Sequence, residues 1–378
     1  MLGGARCLSI AQMALVGALI AMLGACAGPD KPKPVELGPI TPLVGIKTAW
    51  TSTIGAIDFP LQTQVHGDVL HVASSQGLVA AIDARTGADV WRTNLGVALT
   101  AGVGSDGRFV AVVSRENQLI TLVDGREAWR QKLGALTVTA PLVAGERVFV
   151  MSSDRTVSAF DAATGAKLWQ QQRSGDALVL AQSGVIVAVG DTLVTGLGGR
   201  LVGMNPGNGS TRWSAPIATS RGVNDVERLV DLVSGVSRAG DQFCVRAFQA
   251  AVGCVDVNKS IVLWSKPASG ATGLHGDDTV VIGTESDGKV KSWRRTDGEL
   301  LWTTELLRYR SLTAPMVLGR LVVVGDGSGT LHFLSREDAE PLNRLRTDGS
   351  AIVTAPVLVG KTVVAITQRG GIFGFRPE

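Results

Sequence analysis

Tyrosine is all but missing: Tyr309 stands alone in 378 residues, and Phe, Trp and Tyr together make up 5% of the chain. That scarcity disfavours a carbohydrate-binding surface built from exposed rings. Cysteine and histidine are also scarce, at four each: Cys7, Cys26, Cys244 and Cys254, and His66, His71, His275 and His332. They show no paired CxxC or HxxxH spacing, which excludes a structural zinc site of the common kind. The His residues are assigned to separate blades of the repeat described below, as surface or satisfied strand residues. Net charge is small as well, +3 from 36 basic and 33 acidic residues, too little for a nucleic-acid footprint. Beyond the first thirty residues no segment has the periodicity of an amphipathic helix. Glycine, in contrast, is abundant, with 47 residues where an average chain has roughly 7%.

Residues 7–29 carry no charge, and the apolar stretch 11–23 is followed by small residues, the layout of an export signal. The run is also long enough to span a bilayer, so hydropathy alone leaves a retained anchor helix open. Leu23-Gly24-Ala25-Cys26 resembles the lipobox of bacterial lipoproteins, in which the Cys thiol takes a diacylglycerol and, after cleavage, its amine is acylated. That resemblance makes residues 1–25 a lipoprotein signal peptide and Cys26 the lipid attachment site. Ala27 in place of Asp implies the outer rather than the inner membrane. Residues 26–45, with Pro29, Pro32, Pro34, Pro39 and Pro42, read as an extended tether.

From residue 46 the chain repeats. LVAAIDARTGADVW (78–91) and VSAFDAATGAKLW (157–169) are the clearest copies, and the Trp residues at 91, 129, 169, 213, 264 and 302 lie 38, 40, 44, 51 and 38 residues apart. β-Branched runs punctuated by Gly or Asp-Gly every eight to ten residues indicate hairpins, and the forty-residue period indicates radial four-stranded blades. In each turn the Asp can accept N–H groups two residues on, Gly supplies positive φ, and the Trp can lie flat on the neighbouring blade with its indole N–H on a carbonyl. Trp293 falls outside this slot, and in blade 7 the slot holds Leu342.

The strand before the turn recurs eight times, the last at Ile372, where the turn and Trp that should follow are missing. Ile46 to Trp50 supplies a Trp without such a strand. Pairing 46–53 with 372–376 therefore closes an all-β, eight-bladed propeller of four-stranded antiparallel blades over 46–378, with no free sheet edge at the seam.

The pattern A-x-D-x-x-T-G-x-x-x-W resembles the repeat of quinoprotein-like, PQQ-type propellers. With the lipobox, the Pro-rich tether and eight compact repeats, the whole mature chain resembles the BamB family, the lipoprotein subunit of the β-barrel assembly machinery of Gram-negative outer membranes. FCVRAFQAAVGCVDV (243–257) and LVVVGDGSGTLHFLS (321–335) are similar to the family's blade-five hairpin and penultimate blade. The resemblance implies a non-enzymatic outer-membrane lipoprotein facing the periplasm, without cofactor. It would bind a POTRA domain of BamA, join the other subunits of the complex, and assist nascent barrel proteins. By position it implies partner contacts at Leu178, Leu180, Glu227, Arg228 and Asp231. Ala181, where the family commonly has Arg, and Val233, where it often has an acid, depart from the family pattern. The long interval between Trp213 and Trp264 independently places extra chain in the same region, at 219–232.

Two other readings remain at this point. The same repeat builds PQQ-dependent dehydrogenases, which use a metal-bound quinone, usually a vicinal Cys pair, and long insertions. Here Cys244 and Cys254 are ten apart and the repeats are compact. A generic periplasmic scaffold is the third reading. The recurring acids Asp83, Asp161 and Asp297 read as turn formers, and GDGSGTL and TGLGGR as hairpin turns, since no helix or P-loop Lys follows. Cys244 and Cys254 lie on two arms of one hairpin, so they are either a cross-strand disulfide or two small buried side chains.

Overall fold

The computed structural model describes residues 32–173, 179–219 and 229–378. Their regular structure is 32 strands in eight four-stranded antiparallel sheets. Blades 1 to 7 are residues 64–94, 99–132, 142–172, 186–216, 232–267, 274–304 and 316–346, each formed from four consecutive strands. Blade 8 takes three strands from 357–377, and its outermost strand is Ile46–Thr53, paired antiparallel to Gly371–Pro377. The register runs from Ile46 opposite Pro377 to Thr53 opposite Gly371, with a bulge between Thr48 and Trp50. This is the closure expected from the sequence.

The second strand of each blade is buried on both faces, so it reads as a continuous apolar run rather than an alternating one. Phe109–Ser114, FVAVVS, is buried at every position. Outermost strands are mostly exposed or half-buried, as in Lys167–Gln172, which explains why their sequences are polar around the single Trp.

Neighbouring blades are fastened at the turns. The Asp83 carboxylate accepts the Arg85 N–H at 2.8 Å, and Gly87 follows with φ +77°. Trp50 of blade 8 covers this turn of blade 1 and donates its indole N–H to the Ala84 carbonyl at 2.7 Å. The same bond recurs from Trp129 to Ala162 (2.8 Å), Trp169 to Pro206 (2.9 Å), Trp264 to Arg295 (2.7 Å) and Trp302 to Arg336 (2.9 Å), in each case one blade onward. The turn glycine therefore meets two demands. A Cβ at Gly165 would sit 2.6 Å from Trp129 Cδ2, in addition to adopting φ +73°.

Leu342 in the blade 7 slot now has a physical reason. The third and fourth strands of blade 8 come from opposite ends of the chain, so no hairpin turn lies there for a Trp to cover. The space is filled by chain from the amino-terminal side: Leu43 N–H donates to the Leu342 carbonyl at 2.8 Å, and Asn343 Nδ2 to the Val44 carbonyl at 2.7 Å. The compact unit accordingly begins at Val35. Residues 35–45, read from sequence as part of the tether, lie along blades 6 and 7 as a strap.

Candidate functional site

Antiparallel pairing sorts the connections of every blade onto two faces of the wheel. First-to-second and third-to-fourth turns, including all the Trp-covered turns, lie on one face. Second-to-third turns and the blade-to-blade connections lie on the other. Of the expected partner residues, Leu180 lies in the connection from blade 3 to blade 4 and Asp231 in that from blade 4 to blade 5, hence on this second face. Of these residues, Leu180 and Asp231 are described; Leu178, Glu227 and Arg228 lie outside the described residues, as does Cys26.

Leu180 and Asp231 are 51 residues apart in sequence, yet the Leu180 backbone N–H donates to Asp231 Oδ2 at 3.0 Å. Asp231 Oδ1 lies 3.6 Å from Arg155 Nη1, with the acid 18% and the arginine 11% exposed. The Asp231 carbonyl also accepts the Phe248 N–H at 2.9 Å. One carboxylate thus ties two blades and the connection between blades 3 and 4: Arg155 from the second-to-third turn of blade 3, Leu180 from that connection, and the entry to blade 5. A bridge between Gly184 and Val233, and a bond from Ser234 N–H to the Ser183 carbonyl at 2.8 Å, hold the two connections side by side. Arg155 is the participant that sequence reading missed. It sits in SSDRT, where nothing distinguishes it from an ordinary turn residue.

Between these groups is a pocket of about 50 Å³, lined by Thr139, Met151, Arg155, Leu180, Leu197 and Asp231. A water occupies ≈ 30 Å³ of liquid, whereas small-molecule sites run to several hundred, so this volume suits one or two waters or the tip of one partner side chain. Across the central channel, Gln62, just ahead of blade 1, donates from Nε2 to Ser234 Oγ on the innermost strand of blade 5. Blades 1 and 5 stand opposite each other in an eight-membered ring, so this contact bridges the axis.

Cys244 and Cys254 are directly opposite each other in blade 5, fully buried, with their sulfurs joined as a disulfide. Arg295 Nη1 lies 3.2 Å from Cys244 Sγ. His66 and His71 do not fall in separate blades as expected. Both belong to blade 1, with ring centroids 6.1 Å apart. Nor is His71 satisfied: its Nδ1 is buried without a partner among the described residues, and burial followed by the charge of His66 lowers its pKa to about 4.

The comparisons with known proteins agree with this architecture. The family described as "Outer membrane protein assembly factor BamB" matches residues 75–304 and 288–378. A relative of that name from Burkholderia pseudomallei (strain K96243) is 37% identical over 96% of both chains. The chain belongs to the BamB family. The crystal structure of BamB from Moraxella catarrhalis superposes with a TM-score of 0.80 at 23% identity, covering 88% of this chain and 99% of that one. Quinohemoprotein alcohol dehydrogenase from Comamonas testosteroni also superposes, with a TM-score of 0.67 at 14% identity over 89% of this chain and 78% of its own. That likeness is one of fold. The relatives carrying the family name are termed assembly factors, not enzymes. The residues present do not fit a metal-bound quinone either. Among the described residues no three His, Cys, Asp or Glu side chains converge as a metal site, and the Cys pair is opposed across a hairpin rather than vicinal.

Proposed function

We propose that the chain is a non-enzymatic docking subunit of the β-barrel assembly complex, acylated at Cys26 and held to the outer membrane on its periplasmic side. In this reading it binds a POTRA domain of BamA through the face carrying the blade 3–4 and blade 4–5 connections, with Leu178, Leu180, Glu227, Arg228 and Asp231 as contacts. Through BamA it joins the other subunits and assists insertion of nascent barrel proteins. The observation that carries the reading is the junction of Leu180, Asp231 and Arg155. Two long connections on a rigid wheel are fixed to each other by one carboxylate, so they offer a partner a preorganised surface and reduce the entropy lost on docking. Arginine is enriched in hot spots, and the half-buried Leu180 beside Arg155 suits the surrounding contacts that exclude water. The shallow pocket favours a macromolecular partner over a small molecule.

Affinity purification of the tagged chain from detergent-solubilised outer membrane tests the proposal. Recovery of a large barrel protein bearing POTRA repeats supports it. Recovery of the chain with a quinone absorbance and no such protein refutes it in favour of the dehydrogenase reading.

A further inference from the structure

The strap shortens the leash. If residues 26–45 were free, the lipid on Cys26 and the first strand at Ile46 could stand about 70 Å apart at full extension. The chain is held from Val35, however: its N–H donates to the Arg308 carbonyl at 3.0 Å, and its carbonyl accepts Arg310 Nη1 at 2.9 Å. Further along, Arg344 Nη1 donates to the Gly38 carbonyl at 2.8 Å, and Leu37 packs against the apolar cluster shared by blades 6 and 7. Val35 is nine residues on from Cys26, a reach of about 30 Å at most. An acylated chain is therefore held near the membrane by blades 6 and 7.

The strap and blade 7 enclose a groove of about 780 Å³ on the face of the blade-to-blade connections. Its lining includes Arg310, Arg344, Arg346, Ser328, Thr330 and Thr347. The Arg310 charge is met by the buried Asp326 carboxylate at 2.8 Å. Arg344 and the exposed Arg346 have no carboxylate partner among the described residues. Asp348, the acid on the wall, is occupied by Ser350 Oγ at 2.7 Å and Thr367 Oγ1 at 2.8 Å. Burial, and then the like charge of Arg310, push the Arg344 pKa down, so negative charge in the groove would relieve it. The leash itself carries Lys31 and Lys33 against Asp30.

We propose that this strap-walled groove and the rim of blade 7 dock on the membrane surface, with Arg344 and Arg346 binding the phosphates of anionic phospholipid headgroups. The proposal rests on Cys26 being the acylated residue. Blade 7 stands across the ring from blade 3 on the same face, so the chain would be moored at one side while the junction at Leu180 and Asp231 stays free for a protein partner.

The test uses the mature-length chain with Cys26→Ser, which has no acyl group, and flotation with vesicles of phosphatidylcholine alone or with one third phosphatidylglycerol. Binding to the anionic vesicles only is expected, falling as salt is raised. Arg344→Gln with Arg346→Gln weakens it about 30-fold, and the exposed Arg346→Gln alone about 5-fold. Arg115→Gln with Arg126→Gln, on exposed positions of blade 2, leaves it unchanged. Equal binding to neutral vesicles, or equal loss from the blade 2 pair, overturns the groove. An unmodified Cys26 in the mass spectrum of the membrane-extracted wild-type chain instead overturns the acylation reading on which the leash depends.

Discussion

Replacing Gly165 by alanine tests whether the repeat glycine is there for the turn alone or also for the tryptophan of the blade before it. Gly165 and Gly145 both lie in blade 3 and both have positive φ, +73° and +57°. An alanine at either adopts the left-handed region at about 1 kcal/mol, partly offset by the stiffer unfolded chain. Nothing lies within 4 Å of a Cβ at Gly145, whereas at Gly165 it meets Trp129 Cδ2 at 2.6 Å. Overpacking of that degree costs about 1–3 kcal/mol, and an indole pushed aside also loses its bond to the Ala162 carbonyl, about 1 kcal/mol more. Gly145→Ala should therefore cost less than about 1 kcal/mol and Gly165→Ala about 2–4. Urea unfolding followed by fluorescence and circular dichroism, with coincident transitions, gives both values. In a Trp129→Ala background the Gly165 penalty should shrink to that of Gly145, a coupling of about 2 kcal/mol. Equal losses at the two glycines, or strict additivity with Trp129→Ala, would refute the latch.

Three more predictions concern groups buried between the strands. His71 has its pKa lowered to about 4 from 6.5, so the unfolded chain binds the extra proton between those values. Stability should be full above pH 6.5 and fall by about 3 kcal/mol as pH drops through 4, a loss that His71→Phe abolishes and proton titration of the imidazole can follow. Arg246 and Glu285 form an ion pair at 3.2 Å with side chains 0% and 1% exposed, and Arg246 Nε and Nη2 have no hydrogen-bond partner among the described residues. Glu285→Gln should then cost about 3–5 kcal/mol in urea unfolding, and the double change to Met and Gln distinctly less than Arg-only retention. Reducing the Cys244–Cys254 bridge, which closes a span of 10 residues, should lower stability by about 2–3 kcal/mol, and unreduced unfolded protein should show no reactive thiol in that hairpin.

Blade number and closure were legible because both depend on turn chemistry, which is local. Asp, Gly and Trp at fixed offsets report a turn whatever surrounds it, and the missing turn after Ile372 pointed to Ile46. The strap was not legible. A Pro-rich segment binds through its backbone carbonyls at Val35, Gly38 and Val44, which leave no side-chain pattern. Arg246 and Arg295 illustrate a second limit, since burial of a charge depends on neighbours in the adjoining blade, 39 to 58 residues away in sequence. The run FCVRAF did carry a signal: a charged residue within a strand otherwise solidly apolar. Of the residues expected to meet a partner, sequence placed Leu180 and Asp231 on adjoining connections, but the bond between them and the part played by Arg155 depend on ring geometry.

The central claim, that a protein partner docks on the face joining blades 3, 4 and 5, is tested most directly by titrating the purified chain with the POTRA region of BamA. Asp231→Lys and Leu180→Asp should each weaken binding about tenfold or more, while Leu168→Asp, exposed at the opposite end of blade 3, leaves it intact. Unchanged affinity in the first two variants, with folding preserved, would contradict the account.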